Sequence, residues 1–438
     1  MVMGKIKILK KTTYFLLAFI ILGLIGYCMG NSDVWTFKTE LMKNIKPYDG
    51  ADLRLNGNNV FLMQVTQPVL EFKTAVSSVN DNDPIPTTEF KEDWMNDSYE
   101  VLNRMSVRVL KGTLENDVNI CFETKGQDGS WWISDDTKTI YVTSDWLDNH
   151  KINEYVSEDE YINFTYFSIY KSVDGGEIFK KLAWPEHNRI TQILFAQDGK
   201  RGYIVAGGPS LWRTEDGGES WQKIIIPKQL SNVGIGDTAL ERYQNEITTF
   251  DAYTIDGEGN LLIVGFIKRW QPKDSNEKKQ GSVIYQLKWS DNLSDMNQIE
   301  PLAFVDNVKV SDIEVSSNNE LYLLTEHYNF SDPNVHPKDK EVGFIHLQDE
   351  KEVVRHVFGK KLFLGKLYLG KNDLLYTSGF TWTSGGLQDN DFAFISKDKG
   401  NSWQAINDGR ASARASYFDK ENNTVWLLKI NSLYFKVL

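Results

Sequence analysis

Three carboxylates recur in one local setting and are the first residues to weigh for chemistry. Asp174 lies in Ser172-Val-Asp174-Gly-Gly176-Glu-Ile-Phe179, Asp216 in Thr214-Glu-Asp216-Gly-Gly218-Glu-Ser-Trp221, and Asp398 in Ser396-Lys-Asp398-Lys-Gly400-Asn-Ser-Trp403. The shared pattern is S/T-x-D-x-G-x-x-W/F. Glycoside hydrolysis needs two carboxylates at a set separation in space, which sequence spacing does not supply. The pattern has a structural reading instead. The Ser or Thr ends a strand, the Asp accepts N–H groups in the turn, the Gly takes a conformation that a Cβ would oppose, and the aromatic ring packs under the turn. Each copy is therefore read as a hairpin staple, and no catalytic residue is assigned. The other candidates are weaker. His327, His336 and His346 do not have metal-ligand spacing. Asp256-Gly-Glu-Gly-Asn260 looks like part of a Ca²⁺ loop but lacks the remaining ligands, and reads better as a hairpin turn. Glu158-Asp159-Glu160 reads as a solvated face. The chain has no G-x-S-x-G, Walker A or C-x-x-C motif. No metal or cofactor is assigned.

The elements around these residues are strands. Apolar runs such as Asn59–Val65, Thr139–Thr143, Gly202–Ala206, Leu261–Gly265 and Glu320–Thr325 are bounded by turn residues. Helical periodicity is weak everywhere, with Thr238–Asn245 the best exception. The first two copies of the repeat begin 42 residues apart, about one four-stranded propeller blade.

These copies resemble the Asp-box, or BNR repeat, of sialidases, sortilin-type receptors, photosystem assembly factors and bacterial exported propellers. The first copy departs from that pattern, with Ile178 where the family prefers a small hydroxyl residue. The resemblance implies an all-β fold: a single β-propeller over residues 34–438, with about seven four-stranded blades. It says little about function, because the family's box is structural. Strand clusters place blades at Asp52–Lys73, Ser106–Leu182, Arg189–Ile226, Thr248–Trp289, Val308–Leu347, Lys361–Ile406 and Ala413–Leu438. Val34–Thr39 is expected to complete the last blade and close the ring.

Strands alternate direction, so the link between strands 2 and 3 of a blade lies at the opposite end from the Asp-box turn between strands 3 and 4. Asp145–Asn163, Arg269–Gln280, His327–Glu341 and Thr381–Asn390 all occupy the 2–3 position. Long loops on a rigid scaffold commonly carry function. Their aromatic residues Trp146, Tyr155, Tyr161, Trp270, Tyr328, Phe330 and Trp382 are the candidates for binding a protein partner.

The N-terminus suggests an address. A basic tail over residues 1–12, with Lys5, Lys7, Lys10 and Lys11, precedes an apolar stretch at 13–30. It is read as a signal anchor, a transmembrane helix just long enough to span, with the rest of the chain exported. The runner-up is a lipoprotein. Ile25-Gly26-Tyr27-Cys28 has the rough shape of a lipobox, which would make Cys28 a lipidation site, although Tyr27 is bulky for cleavage. Cys121 is the only other Cys and is expected in the core. So few Cys in a long exported chain favour a bacterial envelope, with the propeller in the periplasm. The net charge of −12 disfavours a nucleic-acid binder, which would show a basic stripe, and no nucleic acid is expected as a partner. Setting aside the four N-terminal Lys leaves 44 basic and 60 acidic residues, a charge of −16 that favours a basic partner.

A sialidase would need three Arg on the substrate carboxylate, the first in an R-I-P type motif; here Asp83-Pro-Ile-Pro86 lacks the Arg. The favoured expectation is a membrane-tethered, non-enzymatic protein-binding module. The tail, anchor and degenerate Asp-box propeller together resemble exported assembly factors and the immunity proteins that neutralise type VI secreted lipase toxins. A basic secreted toxin is then the expected partner. The alternative is a sialidase-like glycan hydrolase or carbohydrate-binding propeller.

Overall fold

The computed structural model describes residues 36–40, 50–66, 105–147, 165–186, 189–206, 210–224, 251–270, 279–289, 300–327, 341–360, 362–382, 388–406, 413–429 and 432–438. The expected anchor at 13–30, Cys28 and the helical stretch 238–245 lie outside these. Among the described residues no helix is long and apolar enough to cross a membrane. Apart from a 3-10 turn at Lys371–Asp373, the regular structure described is β.

The first strand, β1 (Thr36–Glu40), belongs to the last blade. The first blade is β2 (Gly50–Asn56), β3 (Asn59–Thr66), β4 (Ser106–Thr113) and β5 (Asn116–Lys125). The second is β6 (Trp131–Ile133), β7 (Ile140–Leu147), β8 (Thr165–Ser172) and β9 (Lys180–Leu182). The third is β10 (Ile190–Phe195), β11 (Gly202–Ala206), β12 (Ser210–Thr214) and β13 (Gln222–Ile224), and the fourth β14 (Ala252–Ile255), β15 (Leu261–Trp270), β16 (Lys279–Leu287) and β17 (Ala303–Asp306). The fifth is β18 (Lys309–Val315), β19 (Leu321–His327), β20 (Glu341–Gln348) and β21 (Lys351–Lys360), and the sixth β22 (Leu362–Leu369), β23 (Leu375–Trp382), β24 (Gln388–Ser396) and β25 (Gln404–Ile406). The seventh joins β26 (Ala413–Asp419), β27 (Thr424–Lys429) and β28 (Ser432–Val437) to β1, in the order β1-β28-β27-β26. Every pairing is antiparallel, and the chain is a seven-bladed propeller of four-stranded sheets.

The expected closure by the N-terminal segment is present, with Thr36 opposite Phe435 and Glu40 opposite Ser432. The expected blade at Ser106–Leu182 is corrected. Ser106–Lys125 supplies the two outer strands of the first blade, and only Trp131–Leu182 forms the second. The connection from 67 to 105 hid this pairing, because propensity cannot link strands across so long a gap. Blades four and five also extend beyond their expected ends, to β17 and β21. β17 is only four residues long and lies beyond the 288–302 link, and β21 alternates exposed and half-buried residues, so neither gives a long apolar run.

Each described core cluster straddles two neighbouring blades. In β3, Val60 and Leu62 face the seventh blade and Phe61 and Met63 the second. In β15, Leu261 and Ile263 face the third blade and Leu262 and Val264 the fifth. A second strand is thus buried on both faces, and its sequence reads as a continuous apolar run. Cys121 is half-buried at the interface of blades one and two, where burial pushes its thiol up to about 11.

All three repeat hairpins join strand 3 to strand 4. Thr214 Oγ1 donates to Asp216 Oδ1 (2.8 Å) and accepts the Gly218 N–H (2.8 Å), while the Ser220 N–H and hydroxyl donate to the same carboxylate. Ser396, Asp398, Gly400 and Ser402 repeat the arrangement. In the first copy Ser172 and Gly176 keep it, but exposed Ile178 offers Asp174 only its N–H. The aromatic ring closes the staple, as Trp403 Nε1 donates to the Gly400 carbonyl (3.1 Å). Asp256 holds the β14–β15 turn by accepting the Glu258 and Asn260 N–H groups, so the Ca²⁺-like fragment is a hairpin turn.

The hairpins also tie blades together. Tyr141 of the second blade donates to the carbonyl of Gly217 (2.8 Å) in the third, and Lys111 of the first blade pairs with Glu177 (2.8 Å) in the second. Lys399 of the sixth blade pairs with Glu320 (2.8 Å) in the fifth. Gly400 sits at φ 88°, and a Cβ there would run into the Phe344 ring of blade five. Gly400→Ala combines backbone strain with overpacking and is expected to cost about 3 kcal/mol or more in denaturant melts.

Asp216 titrates abnormally. Its slight burial opposes ionisation, but the Ser220 hydroxyl and N–H and the Thr214 hydroxyl hold the carboxyl down at about 2. The ionised turn therefore contributes stability above the ordinary value of 3.8, and that contribution is lost as pH falls towards 2. The stability gap between the protein and Asp216→Asn is expected to narrow over that window, followed by thermal melts at several pH values.

Candidate partner-binding face

The topology decides which connections share an end. Links between strands 2 and 3, and between one blade and the next, leave from one end of the ring. Links between strands 1 and 2, and between 3 and 4, leave from the other. The four long connections singled out in the sequence all start and finish at the first end. So do the connections 67–105 and 225–251, the longest at this end, which sequence reasoning missed as members of the set. At the opposite end the links are short turns, except that from 288 to 302.

The seven candidate aromatics divide accordingly. Trp146, Trp270 and Trp382 lie at this end, in the last turns of β7, β15 and β23. Each is where its strand runs into a connection. The positions Tyr155, Tyr161, Tyr328 and Phe330 lie outside the described residues. Only Trp146 has a described side chain, and its setting is informative.

The Trp146 indole stacks on Tyr166 with centroids 5.3 Å apart, and the Lys125 ammonium lies 4.9 Å from its ring centroid. Lys125 ends the first blade, so the group spans the junction of blades one and two. Tyr166 is 40% exposed, so the stack reaches the surface. Among the described residues, the Trp146 indole N–H, the Gln127 amide nitrogen and Asp145 Oδ1 are buried without hydrogen-bond partners. Arg189 bridges Asp128 and Asp145, its Nε 3.4 Å from Asp145, yet burial still raises the Asp145 carboxyl. Unsatisfied buried polar atoms call for an explanation, and the exposed Tyr166 ring is the part of this group that another molecule can reach. Lys125, Gln127, Tyr166 and Arg189 were not legible in the sequence, since they come from separate strands and links.

The axis differs from the sialidase expectation. Its described lining contains one arginine, Arg54, whose guanidinium lies 5.6 Å from the Tyr417 ring centroid. Of the three His residues set aside as metal ligands, His346 is buried, stacked on Tyr322 (4.6 Å) and 3.4 Å from Glu320.

No family model matches the chain. It is similar to the photosystem II assembly protein Ycf48 of Thermosynechococcus vestitus (strain NIES-2133 / IAM M-273 / BP-1), with 29% identity over 125 residues. That match covers 27% of this chain and 33% of the relative, so the likeness spans a third of the relative's length. Among solved structures, Ycf48 bound to D1 peptide matches over 91% of this chain and 98% of its own, at 10% identity and a TM-score of 0.47. Ycf48 from Cyanidioschyzon merolae matches over 92% and 98%, at 10% identity and a TM-score of 0.45. The Niastella koreensis GH74 enzyme matches over 76% and 50%, at 15% identity and a TM-score of 0.44.

The Trp146 geometry is testable by itself. Trp146→Phe keeps a stacked ring and removes an unpartnered donor, so stability is expected to hold or rise. Trp146→Ala is expected to cost about 1–2 kcal/mol through lost packing. Equal losses in denaturant melts would show that the indole N–H has a partner.

Proposed function

We propose that this protein is a membrane-tethered, exported propeller that captures a protein partner on its connection face and does not act on it chemically. The observation that carries this reading is the gathering of the long connections, with Trp146, Trp270 and Trp382 at their roots, at one end of a rigid ring. Aromatic anchors on a preformed scaffold lose little conformational freedom on binding. The similarity to a protein named for photosystem II assembly supports the class of activity, holding another protein, over the matched third of that relative. The three hairpins are assigned to the Asp-box class as structural staples.

The finer reading follows from charge and address. A tether at 13–30 would hold the propeller in the periplasm, and the excess of 60 acidic over 44 basic residues beyond the tail would speed capture of a basic protein. A toxin that attacks the membrane from the periplasm must be caught there, which favours an immunity role. Lipidation at Cys28 is the alternative tether. The competing function, glycan hydrolysis or glycan binding, would draw on the polar axis rather than the connection face.

The test replaces 271–278 and 328–340 by short Gly-Ser links in one variant and changes Trp146, Trp270 and Trp382 to Ala in another. The partner is the toxin or envelope protein encoded beside this chain, and affinity is measured by calorimetry. Both variants are expected to unfold cooperatively and to bind at least about tenfold more weakly, as loss of interface anchors does. Unchanged affinity in both, with the partner bound by the unaltered protein, would overturn the connection face as the docking surface.

A further inference from the structure

A cavity of about 920 Å³ is lined by residues of all seven inner strands and reaches the short turns at the opposite end. That volume is typical of small-molecule pockets. Four inner strands carry β-bulges, at Ile190/Gln192 in β10, Val310/Asp312 in β18, Leu364/Leu367 in β22 and Ala413/Ala415 in β26. Bulges re-aim side chains, and Gln192, Asp312 and Lys366 beside them all line the cavity.

The charge of the lining has one sign in excess, with six carboxylates against three cations. Most of these groups are already matched. Lys420 pairs with Glu314 (2.9 Å), Lys309 with Asp251 (2.7 Å) and Lys371 with Glu421 (2.7 Å). Asp419 accepts the Glu421 and Asn422 N–H groups of its own turn. Asp312 is different. One oxygen accepts the Leu367 N–H (2.7 Å), and no ion pair holds the carboxylate among the described residues. Tyr253 of blade four and Tyr368 of blade six belong to the same wall; Tyr368 also packs on Phe418 (5.4 Å), and Tyr417 lies under Arg54.

We propose that this axial cavity binds a small organic cation of the amine or guanidinium class, with Asp312 as counter-ion and Tyr253 and Tyr368 as aromatic walls. A ligand that displaces cavity water would strand the Asp312 charge unless it brought a positive charge of its own. Ring faces attract such cations. A neutral sugar would leave the carboxylate uncompensated, and an anion would meet the excess of acidic groups.

Protonation supplies a signature. Burial pushes the Asp312 carboxyl up to about 6; Glu314 adds to the rise, and the Leu367 N–H and Lys366 partly offset it. Below that value the free site loses its counter-ion, so affinity for a cation falls as pH drops. Tyr253 stays neutral over this range, its phenol raised by burial and by Asp312.

The experiment titrates the full-length protein with agmatine, and with xylose as a neutral control, by calorimetry at pH 7.5 and pH 5. Asp312→Asn keeps an acceptor for the Leu367 N–H, and thermal melts establish that it folds. The expected result is saturable agmatine binding at pH 7.5, about tenfold weaker at pH 5 and at least tenfold weaker in Asp312→Asn, which shows no such pH dependence. Absence of saturable agmatine binding, equal binding of xylose, or an unchanged Asp312→Asn would each overturn the proposal. None of these outcomes touches partner capture at the other end of the ring, which is measured separately.

Discussion

The apolar core lies between the sheets of this protein and not within any one of them. Each blade presents two apolar faces and buries neither alone, so every blade needs both neighbours. That is a closed condition: an open array of these blades would leave two large apolar faces in water, at a cost of about 25 cal/mol per Å². Closure falls to β1, which comes from the beginning of the chain and pairs with β28 near its end. Segments far apart in the sequence are thereby joined in one sheet, and parting the seventh blade from the strand that closes it would break that ladder.

Polar contacts fix what the apolar contacts leave loose. Asn56 reaches the Asp135 carbonyl across blades one and two, Tyr141 the Gly217 carbonyl across two and three, and Arg201 the Glu258 carbonyl across three and four. Lys309 pairs with Asp251 across four and five, Asp312 takes the Leu367 N–H across five and six, and Lys371 bonds Asn423 across six and seven. Most of these contacts sit near the axis and the short turns. Cross-blade bonds occur at both ends, as with Lys309–Asp251 and Arg189–Asp128 at the connection end, but short turns dominate one end and the long connections leave from the other. A binding surface at the second end can vary without disturbing the packing that holds the ring.

Much of the fold was legible because its signals are local. The repeat hairpins place all their bonding groups within eight residues, so Ser172, Thr214 and Ser396 could be read as strand ends and the Asp residues as turn acceptors. The strand 2 runs were legible because burial on both faces removes polar residues from them. The aromatic near the start of those strands, as at Phe61, Tyr141, Tyr203, Tyr322, Tyr376 and Trp426, was in plain view, but its role in docking the next blade was not. The pairing of β3 with β4 was lost because the intervening connection carries no pairing information. The Lys125–Trp146–Tyr166 group and the Asp312 wall were invisible for the same reason: their members are brought together by sheets that pack across blades.

By itself, the sequence determined the class of element, the hairpin chemistry, the blade number to within one, and the end of the ring at which the four recognised connections lie. Each of these depends on period, turn residues and strand direction, which are properties of neighbouring residues. Only the tertiary structure decided which residues meet across blades, which buried polar atoms lack partners, and that a polar cavity follows the axis. Those outcomes depend on the register of one sheet against the next and on bulges that turn single side chains inward, and neither is written in any short stretch of chain.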